Sequence, residues 1–288
     1  RPVTVVTGAN SGIGRATAVH LAASGHTVVG TVRATAKADK LLAAADAAGV
    51  TVDLVELDIA SDDSVVAGFE EVLARHGRVD HLVNNAGVGG NGVVEETPVA
   101  RLLEVFDVDV CGGVRCIQQV LPGMRERGSG TIVNVTSIVG RIGAIAQAPY
   151  VAAKWAFEGI SEQLAIEVAP FGVRVAIIEP GITKSSIFGK NTDAKNDTGA
   201  YDEQYARMLQ MYAAGFHHAT DAVEVAEVIR HAIETDAPTL RYTVSWGSEI
   251  PGRRARMTDE AWVALGRIET LDDYLVAFRE ALGLDMTT

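Results

Sequence analysis

The sequence predicts an α/β fold in which one doubly wound parallel sheet carries helices on both faces. Short apolar runs alternate with helical patterns from Val3 to Glu179, and the apolar runs are nearly continuous. Strands of a parallel sheet are buried on both faces, so they read as continuous apolar runs rather than alternating ones. Right-handed crossovers between successive strands then give a doubly wound sheet. No linker divides the chain, so we expect a single domain over residues 1–288.

Each element follows from its local pattern. Apolar runs rich in β-branched residues predict strands at residues 3–7, 27–32, 51–57, 79–84, 131–136, 173–179 and 240–245. Helical periodicity predicts helices at residues 12–24, 36–48, 61–76, 98–127, 149–169, 201–212, 222–235 and 271–282. Gly25 and Gly49 mark helix ends, and Ser61 followed by Asp62 and Asp63 marks a helix start.

Composition excludes several functional classes. The chain has 25 basic and 37 acidic residues, a formal net charge of −12, which argues against a nucleic-acid binder or a cationic membrane-surface helix. No run of about 20 apolar residues is present, so we expect no membrane span. Cys111 and Cys116 lie on different faces of one predicted helix and cannot bridge, so we expect a reducing, cytoplasmic location.

The first strand leads into a glycine-rich turn, residues 7–14 (TGANSGIG). Gly8 can take the tight turn that leaves the strand, Gly12 lets the backbone approach a pyrophosphate, and Gly14 permits close packing of the following helix. The helix N-terminus offers free N–H groups and a partial positive charge to phosphates. The context of strand, turn and helix favours dinucleotide binding, while a merely structural βα turn is the alternative.

The spacing T-G-x-x-x-G-x-G resembles that of the short-chain dehydrogenase/reductase family. Four further motifs appear in the family's order: the N-N-A-G run of residues 84–87, Ser137 after the fifth strand, the Y-x-x-x-K pattern of Tyr150 and Lys154, and Pro180-Gly181 after the sixth strand. The resemblance covers roughly residues 3–185 and implies a Rossmann-type fold. Hydroxysteroid and retinol dehydrogenases of this family share the long C-terminal extension, an analogy that does not identify a substrate.

Tyr150 and Lys154, four residues apart on a predicted helix, share one face. A nearby ammonium favours the phenolate, so we expect Lys154 to lower the pKa of Tyr150 and let the phenol exchange a proton with a substrate oxygen. Ser137 can hydrogen-bond the same oxygen. The resemblance implies that Lys154 also holds the nicotinamide ribose. A Tyr-x-x-x-Lys pair alone would usually be a surface pair, and only the joint motifs favour catalysis.

Asp109 departs from the family pattern, because the family usually has Asn at this position, where it helps to hold a proton-relay water. An Asp keeps the backbone carbonyl but lacks the amide donor and adds a negative charge near Lys154. Asp109 is therefore a candidate fourth catalytic residue. The alternative is a carboxylate in the helix interior, paired with an unidentified partner.

The end of the second strand favours NADP over NAD. The family's NAD enzymes carry an acid there, but this strand ends at Val32, and Arg33 follows. A guanidinium suits a 2′-phosphate. Ser11 argues the other way, because many NADP-preferring relatives have a second basic residue there, so NAD stays possible. The resemblance places Asp58 at the adenine amine. The residues expected at the cofactor are Gly8, Asn10, Ser11, Gly12, Ile13, Gly14, Arg33, Asp58, Ile59, Asn85, Ala86, Gly87, Tyr150, Lys154, Pro180, Gly181, Ile182 and Thr183.

The irregular stretch after the sixth strand predicts a lid over the site. We expect a core of about residues 1–181, a lid of about 182–215 and a C-terminal extension of about 216–288. The residues expected at the substrate are Val139, Ile142, Ala144, Ile187, Phe188, Tyr205, Met208 and Tyr212. This apolar lining favours a small apolar ketone or alcohol, although half of these residues would also serve as ordinary core. The pair His217-His218 lacks partners at ligand spacing, so we expect no metal.

These features together indicate an NADP-dependent oxidoreductase that interconverts an apolar ketone or aldehyde and its alcohol. The alternatives are an NAD-dependent alcohol dehydrogenase of the same fold, a non-catalytic nucleotide sensor, and a lyase or dehalogenase. The sensors commonly lose the Tyr or the Lys, and a lyase or dehalogenase would discard the glycine turn or replace the Lys. The predicted helices 98–127 and 149–169 form the dimer face in many relatives, so we expect a homodimer or homotetramer.

Overall fold

Seven parallel strands form one sheet in the order β3-β2-β1-β4-β5-β6-β7. The structure is a computed structural model that describes residues 1–184 and 196–287. The strands are β1 Val3–Val6, β2 Thr27–Val32, β3 Asp53–Glu56, β4 His81–Asn84, β5 Gly130–Val135, β6 Val173–Pro180 and β7 Arg241–Val244. The strand order reverses between β1 and β4, and ligands of such sheets bind at that reversal, outside the carboxyl ends of the strands.

Helices cover both faces of the sheet, as the sequence predicts. They are α1 Gly12–Ala23, α2 Asp39–Ala47, α3 Asp62–His76, α4 Val99–Phe106, α5 Gly112–Arg127, α6 Ala148–Val168, α7 Asp202–His218, α8 Ala222–Glu234, α9 Ile250–Arg254, α10 Asp259–Leu265 and α11 Leu271–Leu282. The core on one face joins the sheet to α3, α5 and α6, through Phe69, Met124 and Leu164. The core on the other face joins it to α1, α2 and α8. The Rossmann-type doubly wound fold is therefore confirmed.

The predicted helix over residues 98–127 is interrupted. Residues Asp107–Cys111 form a π-helical turn between α4 and α5. A π turn inserts one extra residue into the helix and is often found at functional sites. The insertion leaves the apolar pattern of the flanking helices readable as one helix, which is why the sequence did not reveal it. The π-helical turn carries Asp109, whose side chain is buried.

The C-terminal helices build a second apolar core beside the sheet. Ile250 of α9, together with Tyr274, Phe278 and Leu282 of α11, packs around the short 3₁₀ turn Ile138–Gly140 that follows β5. The C-terminal extension thus lies against the segment next to Ser137. None of the helices in the described ranges is long and apolar enough to cross a bilayer.

Candidate active site

The glycine turn brings the end of β1 against the loop after β4. Gly8 and Gly12 have φ values of 66° and 50°, which residues with a Cβ rarely adopt. A Cβ on Gly8 would lie 2.9 Å from the Ala86 Cα, and a Cβ on Gly14 would lie 2.4 Å from Asn85 Nδ2. Gly8 and Gly14 therefore permit contact with the N-N-A-G run, and Gly14 also lies close to the Gly8 carbonyl within the turn.

Thr7 fixes this contact, a role that sequence reasoning missed. Its buried hydroxyl accepts hydrogen bonds from the backbone N–H groups of Asn85 and Ala86, both at 3.0 Å, and donates to the Val83 carbonyl. The Asn85 side chain donates to the Thr7 carbonyl at 2.9 Å. A hydroxyl directly before the first glycine of the turn was the available signal. Asn85 and Ala86 are thus held in place by the turn that follows β1, in which Gly8 also lies.

The turn fits a dinucleotide pyrophosphate. Helix α1 begins at Gly12, and no acid in its own first turn compensates the positive end of the helix. The Asn10 side chain donates to the Lys37 carbonyl at 2.8 Å, while its Oδ1 is buried and has no hydrogen-bond partner. The Ile13 side chain packs into the core, so its part in binding falls to the backbone.

Ser137, Tyr150 and Lys154 meet at the carboxyl end of β5. Ser137 donates to the Pro180 carbonyl at 3.3 Å and hydrogen-bonds the phenol of Tyr150. Lys154 lies one turn along α6 from Tyr150, with its Nζ 5.4 Å from the centre of the phenol ring and 3.5 Å from the Val135 carbonyl. The predicted catalytic residues are thus brought together beside the glycine turn.

Asp109 is the fourth member of this cluster. Its Oδ2 lies 3.2 Å from Lys154 Nζ, and both side chains are almost fully buried. Its Oδ1 accepts a hydrogen bond of 2.7 Å from the Val88 backbone N–H, and a Cβ on Gly87 would lie 3.2 Å from that oxygen. The partner that the sequence could not identify is therefore Lys154, and Asp109 links it to the loop after β4.

The pKa of Tyr150 in the structure is shifted in the direction opposite to the one expected from the sequence. Burial raises the pKa of Tyr150 above its ordinary value, and Asp109 adds to the rise, although Lys154 and the Ser137 hydrogen bond act in the opposite direction. Burial lowers the pKa of Lys154, but the carboxylate of Asp109 and the phenol more than offset it, so the pKa of Lys154 is raised. Burial also raises the pKa of Asp109. The prediction of a lowered phenol pKa was wrong for this site without ligand, because burial outweighs the lysine.

The residues expected at the adenosine half lie at the same edge of the sheet. Arg33 follows β2 directly and is exposed, with no hydrogen bond or ion pair to the rest of the described chain. Asp58 accepts a hydrogen bond from the Ala60 N–H through Oδ1 only. The Ile59 side chain faces the core, where a Cβ on Gly112 would lie 2.8 Å from its Cδ1. Arg33 and Asp58 thus have donors and acceptors free for a ligand, whereas Ile59 can contribute only its backbone.

The segment after β6 is tied to residues 220 and 245–246. A Cβ on Gly181 would lie 2.1 Å from the Trp246 carbonyl oxygen, which also accepts a 2.9 Å hydrogen bond from the Ile182 N–H. The Ile182 carbonyl accepts from the Thr220 N–H at 3.2 Å. The Thr183 hydroxyl pairs with that of Ser245 at 2.8 Å. A hydrogen bond from the Ile182 N–H to a nicotinamide would therefore displace one that the fold already makes, whereas the carbonyl can accept a second hydrogen bond.

Two apolar cavities are lined by residues that neighbour Ser137 or Tyr150 in the chain, although no member of the cluster itself lines either cavity. One, of about 300 Å³, has Ile138, Val139, Ile142 and Ala144 in one wall, with residues of α7 and the C-terminal helices opposite. The other, of about 540 Å³, lies between residues 92–94 and 143–148 and shares Ala144 with the first. Val139, Ile142 and Ala144, which the sequence assigned to the substrate, line the smaller cavity. In the parts of the chain that the structure describes, no cluster of His, Cys, Asp or Glu could hold a metal ion.

The predicted substrate residues of the lid do not line the two cavities where the structure describes them. Tyr205 and Met208 line neither cavity, because they are buried in a separate cluster with Val93 and Ala146. Tyr212 packs on the same cluster, and its hydroxyl donates to Asn91 Oδ1 at 2.7 Å. Ile187 and Phe188 lie outside the described residues.

The stripe of α7 that faces the smaller cavity lies one residue away, at Gln204, Arg207 and Met211. These residues follow the same helical spacing as the stripe of Tyr205, Met208 and Tyr212, shifted by one position. Leu209, which follows Met208 in the chain, belongs to neither stripe and is 60% exposed. The sequence signal for the cavity-facing stripe was Arg207, which stands between apolar residues. An arginine on a helix is usually exposed to solvent, so its burial could not be expected from the sequence.

Comparisons with known proteins agree on one family. The family model described as short chain dehydrogenase matches residues 2–196. Among curated proteins, an uncharacterized oxidoreductase of Bacillus subtilis, YusZ, is 36% identical over 87% of this chain and 91% of its own length. Human 17-beta-hydroxysteroid dehydrogenase type 1 is 34% identical over 84% of this chain and 77% of its own length.

Solved structures agree as well. A short-chain dehydrogenase from Streptomyces avermitilis superposes with a TM-score of 0.79 at 37% identity, over 93% of this chain and 100% of its own. A variant of actinorhodin polyketide ketoreductase, solved with NADPH, gives a TM-score of 0.72 at 31% identity, over 86% of this chain and 97% of its own.

Proposed function

Because this chain belongs to the short-chain dehydrogenase/reductase family, and is an NAD(P)-dependent oxidoreductase of its hydroxysteroid- and retinol-dehydrogenase-like branch, we propose that it uses NADP(H) to interconvert an apolar ketone or aldehyde and the corresponding alcohol. The observation that carries the proposal is the position of Tyr150, which lies between Ser137 and Lys154 and packs against the apolar cluster that lines the smaller cavity.

The protein's own residues handle the proton. When bound, the nicotinamide supplies or accepts the hydride. Burial raises the pKa of Tyr150, so its phenol is protonated at neutral pH and can donate to the oxygen of a carbonyl that is being reduced. Ser137 hydrogen-bonds the phenol and can stabilise charge on the same substrate oxygen.

Lys154 and Asp109 prepare the phenol for this step. The ammonium of Lys154 acts on the phenol across the interior, where charges interact more strongly than in water. Asp109 keeps Lys154 protonated despite its burial, since its carboxylate raises the pKa of the ammonium. A family member would also use Lys154 to hold the nicotinamide ribose.

The preference for NADP rests on the end of β2. Val32 is buried and apolar where an acid would favour NAD, and the exposed guanidinium of Arg33 is free to pair with a 2′-phosphate. Several solved relatives contain NADP or NADPH, which supports the same preference.

We also expect a homodimer or homotetramer. Helices α4 and α6 expose large apolar side chains on neighbouring surfaces, among them Leu103, Phe106, Trp155 and Ile166. These helices fall within the two predicted segments that form the dimer face in many relatives. Burial of such a surface between subunits would remove it from water.

The decisive experiment follows nicotinamide absorbance with a panel of apolar ketones and aldehydes. Wild-type protein should oxidise NADPH with at least one member, and Tyr150→Phe should abolish turnover while still binding NADPH. Tyr242→Phe is the matched control, because the Tyr242 hydroxyl accepts only the Thr239 N–H on the β7 edge. Full activity in Tyr150→Phe would remove Tyr150 from its role, and NADPH binding without turnover on any carbonyl would favour the nucleotide sensor.

A further inference from the structure

Arg207 is a buried cation without an anion. Its side chain is 2% exposed and lines the smaller apolar cavity. One guanidinium nitrogen donates to the Ile268 carbonyl, whereas Nε and Nη1 are buried without any hydrogen-bond partner. No carboxylate of the described chain pairs with it. Arginine is almost never fully buried unless it is paired, because an uncompensated charge is costly to remove from water.

The protein compensates the positive charge of Arg207 only partly. Its guanidinium lies 4.4 Å from the centre of the Tyr274 ring, which gives a cation–π contact. Burial raises the pKa of the Tyr274 phenol, so this residue is neutral and is not a counter-ion. Arg254, in the same region, shows the ordinary arrangement: it stacks on Trp262 and is paired with Asp259 at 2.6 Å. Arg254 thus has both a ring contact and a carboxylate partner, whereas Arg207 has only the ring contact.

The cavity extends from this cation to the chain segment that follows Ser137, although Ser137 and Tyr150 are not themselves in its lining. Its lining includes Ile138 and Val139, which directly follow Ser137, and it extends to Arg207 on α7 and Tyr274 on α11. Arg207 is the only charged side chain in the described lining, and the other members are apolar apart from Gln204 and Tyr274. One guanidinium in an apolar wall suits a single monoanion, because a phosphate dianion would leave a second charge unpaired.

We propose that the substrate carries a carboxylate at the end remote from its reacting carbonyl, and that Arg207 binds it. The substrate class is therefore an oxo or hydroxy acid with an apolar body, held between the proton donor at one end and Arg207 at the other. The inference rests on the proposed function for the identity of the reacting end, whereas the anion site itself is tested by binding alone.

The test compares a carboxylate with a neutral analogue of the same chain. Decanoate and 1-decanol are titrated calorimetrically into the NADPH-saturated protein at neutral pH. Charged hydrogen bonds discriminate strongly, so decanoate should bind at least about tenfold more tightly than 1-decanol. Equal affinities in the wild-type protein would overturn the proposal without the need for any variant. Decanoate has no carbonyl to reduce, so the result does not depend on turnover.

Variants assign the effect to Arg207. Arg207→Met, which keeps an apolar stem of similar length, should reduce decanoate affinity to that of 1-decanol, and Arg207→Lys should retain part of the preference. Arg254→Met is the matched control, because it removes a ring-stacked arginine that already has its partner, and it should leave the preference intact. Unchanged decanoate binding in a folded Arg207→Met would contradict the assignment.

Turnover then separates the two proposals. If the carbonyl is reduced by the cluster at Tyr150, a medium-chain oxo acid should have a KM at least about tenfold below that of its methyl ester. Arg207→Met should abolish this difference in KM, whereas Arg254→Met should retain it. Turnover of neutral ketones but of no oxo acid would overturn the proposed substrate class. Binding of decanoate through Arg207 without turnover of any carbonyl compound would overturn the proposed function and leave the anion site standing.

Discussion

Asp109 and Lys154 form a buried ion pair at the centre of the candidate site, with Oδ2 3.2 Å from Nζ. The pair connects the π-helical turn of Asp107–Cys111 to α6, and through the Val88 N–H it reaches the loop after β4. Asp109 thus places a negative charge where the family usually has a neutral side chain. The charge stabilises the ammonium of Lys154 and opposes ionisation of Tyr150. The pair therefore favours the protonated phenol, the form that carbonyl reduction requires.

Asp109→Asn should shift the pH dependence of turnover. Carbonyl reduction needs the protonated phenol, so its rate falls as the pH rises through the pKa of Tyr150, and alcohol oxidation rises over the same range. The carboxylate raises that pKa, so its removal should move both limbs to lower pH. Loss of one partner of a buried pair should also lower the free energy of unfolding by about 3 kcal/mol. The profiles of kcat against pH in both directions measure the shift.

Asp107→Asn is the control for that change. Asp107 belongs to the same π-helical turn, but its carboxylate is 43% exposed and pairs with Arg115 at 2.8 Å, away from Lys154. Its substitution should leave both pH limbs in place and cost about 1 kcal/mol or less. A shift of similar size in both variants would show that the effect comes from the turn and not from the charge beside Lys154.

Gly14→Ala should open the glycine turn. The new Cβ would lie 2.4 Å from both Asn85 Nδ2 and the Gly8 carbonyl oxygen, so the turn and the loop after β4 must separate. We expect a loss of about 2 kcal/mol in the free energy of unfolding and weaker NADPH binding. Gly159→Ala is the control, since no atom lies within 4 Å of its Cβ position on α6 and alanine favours helix by about 1 kcal/mol. Unimpaired NADPH binding in Gly14→Ala would contradict the role of this contact.

The sheet and the catalytic cluster were predictable because their signals are local. Short runs rich in β-branched residues marked the strands, and the glycine turn and the Tyr150–Lys154 spacing lie within single elements or their junctions. The predicted strand over residues 27–32 is identical to β2. The position of Asp109 was also visible, but its partner was not, because the π-helical turn that aims it at Lys154 depends on packing between α4, α5 and α6.

The substrate side was less predictable because it depends on tertiary contacts. Helix α7 has two adjacent stripes with the same spacing, and only packing against Val93 and Ala146 decides that Tyr205 is core and Arg207 faces the cavity. The hydrogen bonds of Ile182 to residues 220 and 246 likewise join segments far apart in the chain. Such choices follow from the assembled fold and leave no local pattern.

Arg33→Ala should reduce the preference for NADPH over NADH by roughly ten- to a hundredfold, since bonds to a charged phosphate contribute about 1.5–3 kcal/mol. Arg33 is exposed and pairs with nothing in the described chain, so the variant should keep its thermal stability. Lys40→Ala, another exposed cation near this edge, is the control for general attraction. Dissociation constants for both nucleotides, from quenching of protein fluorescence, measure the ratio. An unchanged ratio would remove Arg33 from cofactor selection.

Arg241 holds together two buried carboxylates behind the site. Its Nε lies 3.0 Å from Glu158 Oε2 and 3.3 Å from Glu179 Oε1, and the two acids are 5% and 0% exposed. Burial raises the pKa of Glu179 above its ordinary value, Glu158 adds to the rise, and Arg141 and Arg241 oppose it. Glu179 directly precedes Pro180-Gly181, so this cluster fixes the end of β6.

Arg241→Met should make stability more dependent on pH. Without the guanidinium the pKa of Glu179 rises further, and an acid whose pKa is higher in the folded protein than in the unfolded chain loses stability as the pH rises through that interval. The free energy of unfolding should therefore fall by about 3 kcal/mol near pH 8 and by clearly less near pH 5, as measured by urea titration. Arg279→Met, which removes a half-exposed partner of Asp285, should cost less than about 1 kcal/mol at either pH. A loss in Arg241→Met that is equal at both pH values would mean that its packing, and not its charge, stabilises the end of β6.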